Sequence, residues 1–134
     1  MIIYSKKNKN LKICEIIKFN SLKEGNNFYS DHDDYLQIST ITQNKGFKLK
    51  PHIHIENSRQ ISKTQEVWIL IEGKIKINFY DIDESYLTSN FLDAGDISIL
   101  YNGGHSIEKT SKKIIMYEIK NGPYDQNKTD KKSI

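Results

Sequence analysis

The chain has 134 residues, 20 Lys and Arg against 17 Asp and Glu, and a formal net charge of +3. That length suits one domain spanning 1–134 with one sizeable core. No apolar run is long enough to span a membrane, and the lysines near the two ends (Lys6, Lys7, Lys9, Lys12; Lys128, Lys131, Lys132) lack the aromatic interleaving of a nucleic-acid surface. The single Cys14 excludes an internal disulfide framework and fits a reducing compartment. The opening Met1-Ile2-Ile3-Tyr4 turns polar at Ser5-Lys6-Lys7, which leaves no signal-peptide core, so a cytoplasmic location is expected.

Along the chain the dominant period is two. A first strand is predicted over 13–19, and a weak helical turn over 21–26. His32 has metal-friendly neighbours in Asp31, Asp33 and Asp34, but a polar loop ahead of a strand accounts for it. Further strands are predicted over 35–42, 47–55, 66–71, 74–80, 86–92, 97–101, 105–109 and 113–120. Turn signals separate them at short intervals, among them Asn44-Lys45-Gly46, Glu72-Gly73, Asp93-Ala94-Gly95-Asp96 and Asn102-Gly103-Gly104. Many short strands and almost no helical pattern predict an all-β sandwich or closed barrel. Residues 67–71 are apolar on both faces, so that strand needs cover on both sides. A chain end or a second subunit would supply it, and a homodimer is expected. The tail over 125–134 is polar.

Chemistry concentrates between residues 46 and 105. His52 and His54 lie two apart in a predicted strand, so both rings leave one face. Lys48 and Lys50 share that parity, which calls for a bulge near Pro51 or for an open, wet strand end. Glu66 opens the next strand and is followed by Val67, Trp68, Ile69, Leu70 and Ile71 without a polar break. A glutamate at the lip of a buried strand must be paired or coordinated if it points inward. His105 follows Gly103-Gly104. Each piece alone is ordinary. Together, three imidazoles and a carboxylate are what a divalent transition metal takes.

The spacing of these pieces resembles the cupin superfamily. Its first motif, G-x5-H-x-H-(spacer)-E-x6-G, falls on Gly46, His52, His54, Glu66 and Gly73. Its second, G-x5-P-x-G-x2-H, is matched loosely by Gly95, Gly103 and His105. The chain departs from the pattern in an eleven-residue spacer between His54 and Glu66, in Tyr101 at the proline position, and in one residue fewer between Gly103 and His105. The resemblance implies a cupin-type double-stranded β-helix, or jelly-roll barrel. It also implies that His52, His54, Glu66 and His105 hold one divalent transition metal (Fe, Mn, Ni or Zn), with 55–65 as a lid or specificity loop. The runs Thr64-Gln65-Glu66-Val67, Asn102-Gly103-Gly104-His105 and Lys120-Asn121-Gly122-Pro123-Tyr124 look like small single-domain cupins of bacterial surface-polysaccharide and nucleotide-sugar metabolism. That narrower likeness suggests a sugar-derived small-molecule ligand.

Around this set, Arg59 is the only arginine and suits a phosphate or carboxylate clamp, or an exposed loop. Gln65 and Tyr101 are further candidate substrate contacts. Lys120 and Tyr124 follow the last strand as candidate proton donors or bases, though strand-end surface positions account for them equally. Trp68, Phe79 and Tyr117 read as core or pocket wall, and Glu108 and Glu118 as exposed. The expected function is isomerase or epimerase chemistry on a sugar-like substrate, with the metal as Lewis acid. Alternatives are an Fe(II) dioxygenase, a non-catalytic sugar- or anion-binding barrel, and a metal-free ketoisomerase-type cupin. Glu66 speaks against the last.

Overall fold

The computed structural model describes residues 1–123 and 131–134. Its strands are β1 (Ile2–Tyr4), β2 (Lys12–Ile17), β3 (Gly25–Phe28), β4 (Ser39–Thr42), β5 (Glu66–Glu72), β6 (Lys74–Tyr80), β7 (Tyr86–Asp93), β8 (Ile97–Leu100), β9 (Gly104–Lys109) and β10 (Ile115–Lys120). A five-stranded sheet has the order β1-β2-β8-β5-β10, a three-stranded sheet the order β7-β6-β9, and β3 with β4 forms a separate hairpin. Every pairing is antiparallel.

Side-chain alternation explains the layers. In β6, Ile75, Ile77 and Phe79 are fully buried while Lys74 between turn and strand is exposed. They pack with Leu87 and Leu92 of β7 against Trp68 and Leu70 of β5, Cys14 and Ile16 of β2, and Leu100 of β8. This is the core between the two larger sheets. The other face of the five-stranded sheet carries a second core of Ile17, Val67, Ile99 and Tyr101. Leu22, Tyr29, Leu36 and Ile38 lie over that second core. The cover that the two-faced strand requires is therefore supplied, over Val67, by the chain's own segment around the β3–β4 hairpin.

Tight turns set the sheet ends. Gly73 joins β5 to β6 at φ +91, and a Cβ there would meet the Lys113 carbonyl oxygen at 2.2 Å, so only glycine fits. The Asp96 carboxylate closes the β7–β8 turn, accepting from the Phe19 and Asp93 amides at 2.9 Å each and from Lys18 Nζ at 2.6 Å.

Several expectations need correction. The three sheets do not close into a barrel among the described residues. The strand expected over 47–55 is irregular, exposed chain within a long connection from β4 to β5. Alternation alone makes no strand; a partner edge must receive its hydrogen bonds, and Pro51 removes one donor. The strand expected over 35–42 shortens to β4, and the chain before it places the partly buried Leu36 and Ile38 against the second core. β1 and β3 are additional strands, and the helical turn falls at Phe19–Ser21 as a single 3-10 turn rather than over 21–26.

The second core is as real as the first on this account. Ile99 is 0 % exposed, so Ile99→Ala is expected to cost about 2–4 kcal/mol in urea unfolding. A cost below about 0.5 kcal/mol would mean that the outer layer does not pack.

Candidate functional site

β5 sets the site through its first residue. Glu66 shares the inner face with Trp68 and Leu70, and its cross-strand neighbours are Leu100 on β8 and Lys120 on β10. His105 enters from the three-stranded sheet, opposite Phe79. The Gly103 turn aims it: φ is +70, and a Cβ there would sit 2.3 Å from the Tyr80 carbonyl oxygen.

Five side chains form a ring of contacts. Lys120 Nζ lies 3.0 Å from Glu66 Oε1 and 3.3 Å from Glu118 Oε1. Trp68 Nε1 donates to Glu118 Oε1 at 3.2 Å, and the Trp68 ring meets His105 edge to face at 4.8 Å. His105 Nε2 stands 3.4 Å from Glu66 Oε2, an approach that does not amount to a hydrogen bond, so this buried oxygen has no hydrogen-bond partner among the described residues. Glu66, His105, Thr64, Asn102 and the Gly103-Gly104 backbone line a cavity of about 420 Å³. Lys131 and Lys132 stand at its rim, Lys132 paired with Glu84.

The charges are mutually held. Burial alone would raise the Glu66 carboxyl, but the contacts with His105 and Lys120 outweigh it and bring the pKa from 4.5 down to about 2. Burial likewise opposes the charge on Lys120, and its hydrogen bonds, the one to Glu66 among them, carry its pKa above the ordinary 10.5. Both groups are ionised across the neutral range. Glu118 shares the Lys120 ammonium with Glu66, and Glu66 Oε2 keeps no hydrogen bond among the described residues.

Of the sequence candidates, Glu66, His105 and Lys120 come together. His52 and His54 lie on the exposed connection between β4 and β5, where their rings meet at 5.1 Å and His52 Nδ1 is 3.1 Å from the Lys50 carbonyl oxygen. Among the described residues no group of three His, Cys, Asp or Glu gathers in a form that could hold a metal ion. Arg59 is exposed on the same connection. Gln65 is buried on the reverse face, where Oε1 accepts from Leu36 N at 3.0 Å and Nε2 donates to Asp34 Oδ1 at 3.1 Å. Tyr101 is also turned to the reverse face, under Lys12 Nζ at 4.3 Å from its ring, with its pKa pushed by burial up to about 12. Tyr124 lies outside the described residues.

Two groups join the site beyond these candidates. Glu118 is exposed, as expected, and still meets Lys120 and Trp68, because it stands two residues before Lys120 on one strand and so shares its face. The rim lysines belong to the polar tail, whose pattern carries no positional signal. Comparison with protein-family models, with curated proteins and with solved structures finds no match.

The depressed Glu66 pKa makes its pairing a stabilising term above its ordinary 4.5, lost as pH falls toward about 2. Lys120 contributes with the opposite sense, present below its ordinary 10.5 and lost as pH rises through its raised value. The carboxylate borders a water-accessible cavity, so screening limits the effect, and Glu66→Gln is expected to lower stability near neutral pH by about 1 kcal/mol. Denaturant titrations should show that difference shrinking as pH falls from 4.5 toward about 2. A constant difference over that window would contradict the assignment.

Proposed function

We propose that this chain is a cupin-type metal-binding protein, with a small polar, sugar-derived ligand taken at the open end between the two larger sheets. One observation supports this reading: an ionised, buried carboxylate with an oxygen that accepts no hydrogen bond among the described residues, beside an imidazole and a cavity. A buried anionic acceptor without a partner is costly, and a bound cation removes that cost. Glu66 and His105 fit the donor set of a divalent transition metal, and His52 with His54 completes it.

In this reading the 47–55 segment closes as a strand on β9, which pairs only with β6 among the described residues. The even-numbered side chains of that strand, His52 and His54, would then share its inward face. The jelly-roll closure and the metal site are one event on this account.

A metal held there supplies Lewis acidity toward a carbonyl or hydroxyl oxygen. The chain's own groups do the rest. Lys120, fixed in its charged form, stabilises negative charge on a bound ligand and is a poor proton shuttle near neutral pH. Trp68 orients the His105 ring, and the Gly103-Gly104 turn leaves backbone close to the ligand cavity. Chemistry of this kind suits isomerisation or epimerisation of a sugar-like substrate. The commitment of Lys120 to Glu66 and Glu118 favours a second reading, a barrel that binds such a ligand without turning it over.

Metal analysis of the purified chain tests the site. About one divalent transition ion per chain is expected, and His54→Ala should lose it while keeping its far-UV circular dichroism. Metal-free protein that Zn(II), Mn(II), Ni(II) and Fe(II) all fail to stabilise, or unchanged metal content in His54→Ala, would overturn it.

A further inference from the structure

β10 is an edge of the five-stranded sheet, hydrogen-bonded to β5 alone among the described residues. Its inner side chains Met116, Glu118 and Lys120 serve the core and the site. Its outer side chains do not. Tyr117 stands opposite Ile69 and Ile119 opposite Val67, so both extend the outer face. Yet Ile115, Tyr117 and Ile119 are 41 %, 63 % and 45 % exposed, and Ile71 beside them is 46 % exposed. The cover over Val67 and Ile99 stops short of this edge. An edge strand with an apolar face is a template for another strand.

We propose that β10 pairs antiparallel with β10 of a second copy of this chain, about a two-fold axis through Tyr117. The sequence of the edge selects both the occupant and the register. Facing residues in a continuous sheet share a face, so the axis must pass through a residue rather than between two. With the axis at Tyr117, Tyr117 meets its counterpart and Ile115 meets Ile119 twice, joining the three exposed apolar side chains of each copy. Glu118 then faces Met116, and Lys120 faces Ile114. An axis at Glu118 sets that carboxylate against itself, and like charges directly opposite are destabilising. Axes at Met116 and Ile119 overlap β10 only over 115–117 and 118–120, against 115–119 for an axis at Tyr117. Tyr117 is the centre that satisfies apolar contact, charge and hydrogen bonding together. The pairing closes on itself, as a two-fold interface must, and fuses the two five-stranded sheets into one.

Cysteine cross-linking reads the register directly. Facing Cα atoms in an antiparallel pair lie about 4.5–5.5 Å apart, within disulfide reach. Cys14 is 0 % exposed and does not compete. The wild-type chain should sediment as a dimer. Under mild oxidation Tyr117→Cys should form a covalent dimer on the order of a hundredfold faster than Ile119→Cys, whose own counterpart is four residues out of register. Both positions are exposed, so neither exchange disturbs a packed core. A wild-type monomer at all concentrations, equal cross-linking of the two variants, or faster cross-linking of Ile119→Cys would each overturn the proposal.

Discussion

A strand whose successive side chains are all apolar has no face to give to water. β5 is such a strand, with Trp68 and Leu70 buried on one side and Val67 on the other. The three-layer arrangement answers that constraint: the β7-β6-β9 sheet covers one face, and the segment around the β3–β4 hairpin covers the other. Glu66 inherits its position from the same constraint. As the first residue of β5 on the inner face, it is carried into the mouth of the sandwich with 5 % of its surface exposed. A carboxylate cannot remain there as an ion without partners, and Lys120 and His105 arrive from β10 and β9 to meet it.

The resulting ring joins both larger sheets at their open end. Lys120 and Glu118 come from the five-stranded sheet, His105 from the three-stranded one, and Trp68 touches members of both sides. Within it Lys120 is shared between Glu66 and Glu118, and Glu66 Oε2 has no hydrogen bond among the described residues. Two of the three strands that build the ring, β9 and β10, are also sheet edges among the described residues, so the site borders elements with spare hydrogen-bonding capacity.

Much of the fold is legible in the sequence where a residue's environment is set locally. The alternation of Lys74 to Tyr80 determines β6, and the unbroken apolar run after Glu66 announces a strand buried on both faces. Parity places Trp68 with Glu66 and Glu118 with Lys120. What local pattern does not carry is which edge receives which strand. Residues 47–55 alternate as well as β6 does, yet lie exposed, because pairing depends on a partner distant in sequence. Gln65 and Tyr101 flank the inward-facing Glu66 and Leu100 and face away from the site, because successive side chains of extended chain point to opposite sides. The outer cover comes in part from Leu36 and Ile38, whose alternation reads as strand although they lie just before β4.

The proposed site has His52, His54, Glu66 and His105 serve one cation. Paramagnetic broadening measures this in a single titration. Mn(II) is added to the isotope-labelled full chain, and the amide signals of residues 52–54, 66 and 104–106 are followed together. All three groups are expected to broaden in parallel and to saturate at about one Mn(II) per chain. Broadening confined to residues 52–54, or broadening of the two pairs at different Mn(II) concentrations, would contradict it.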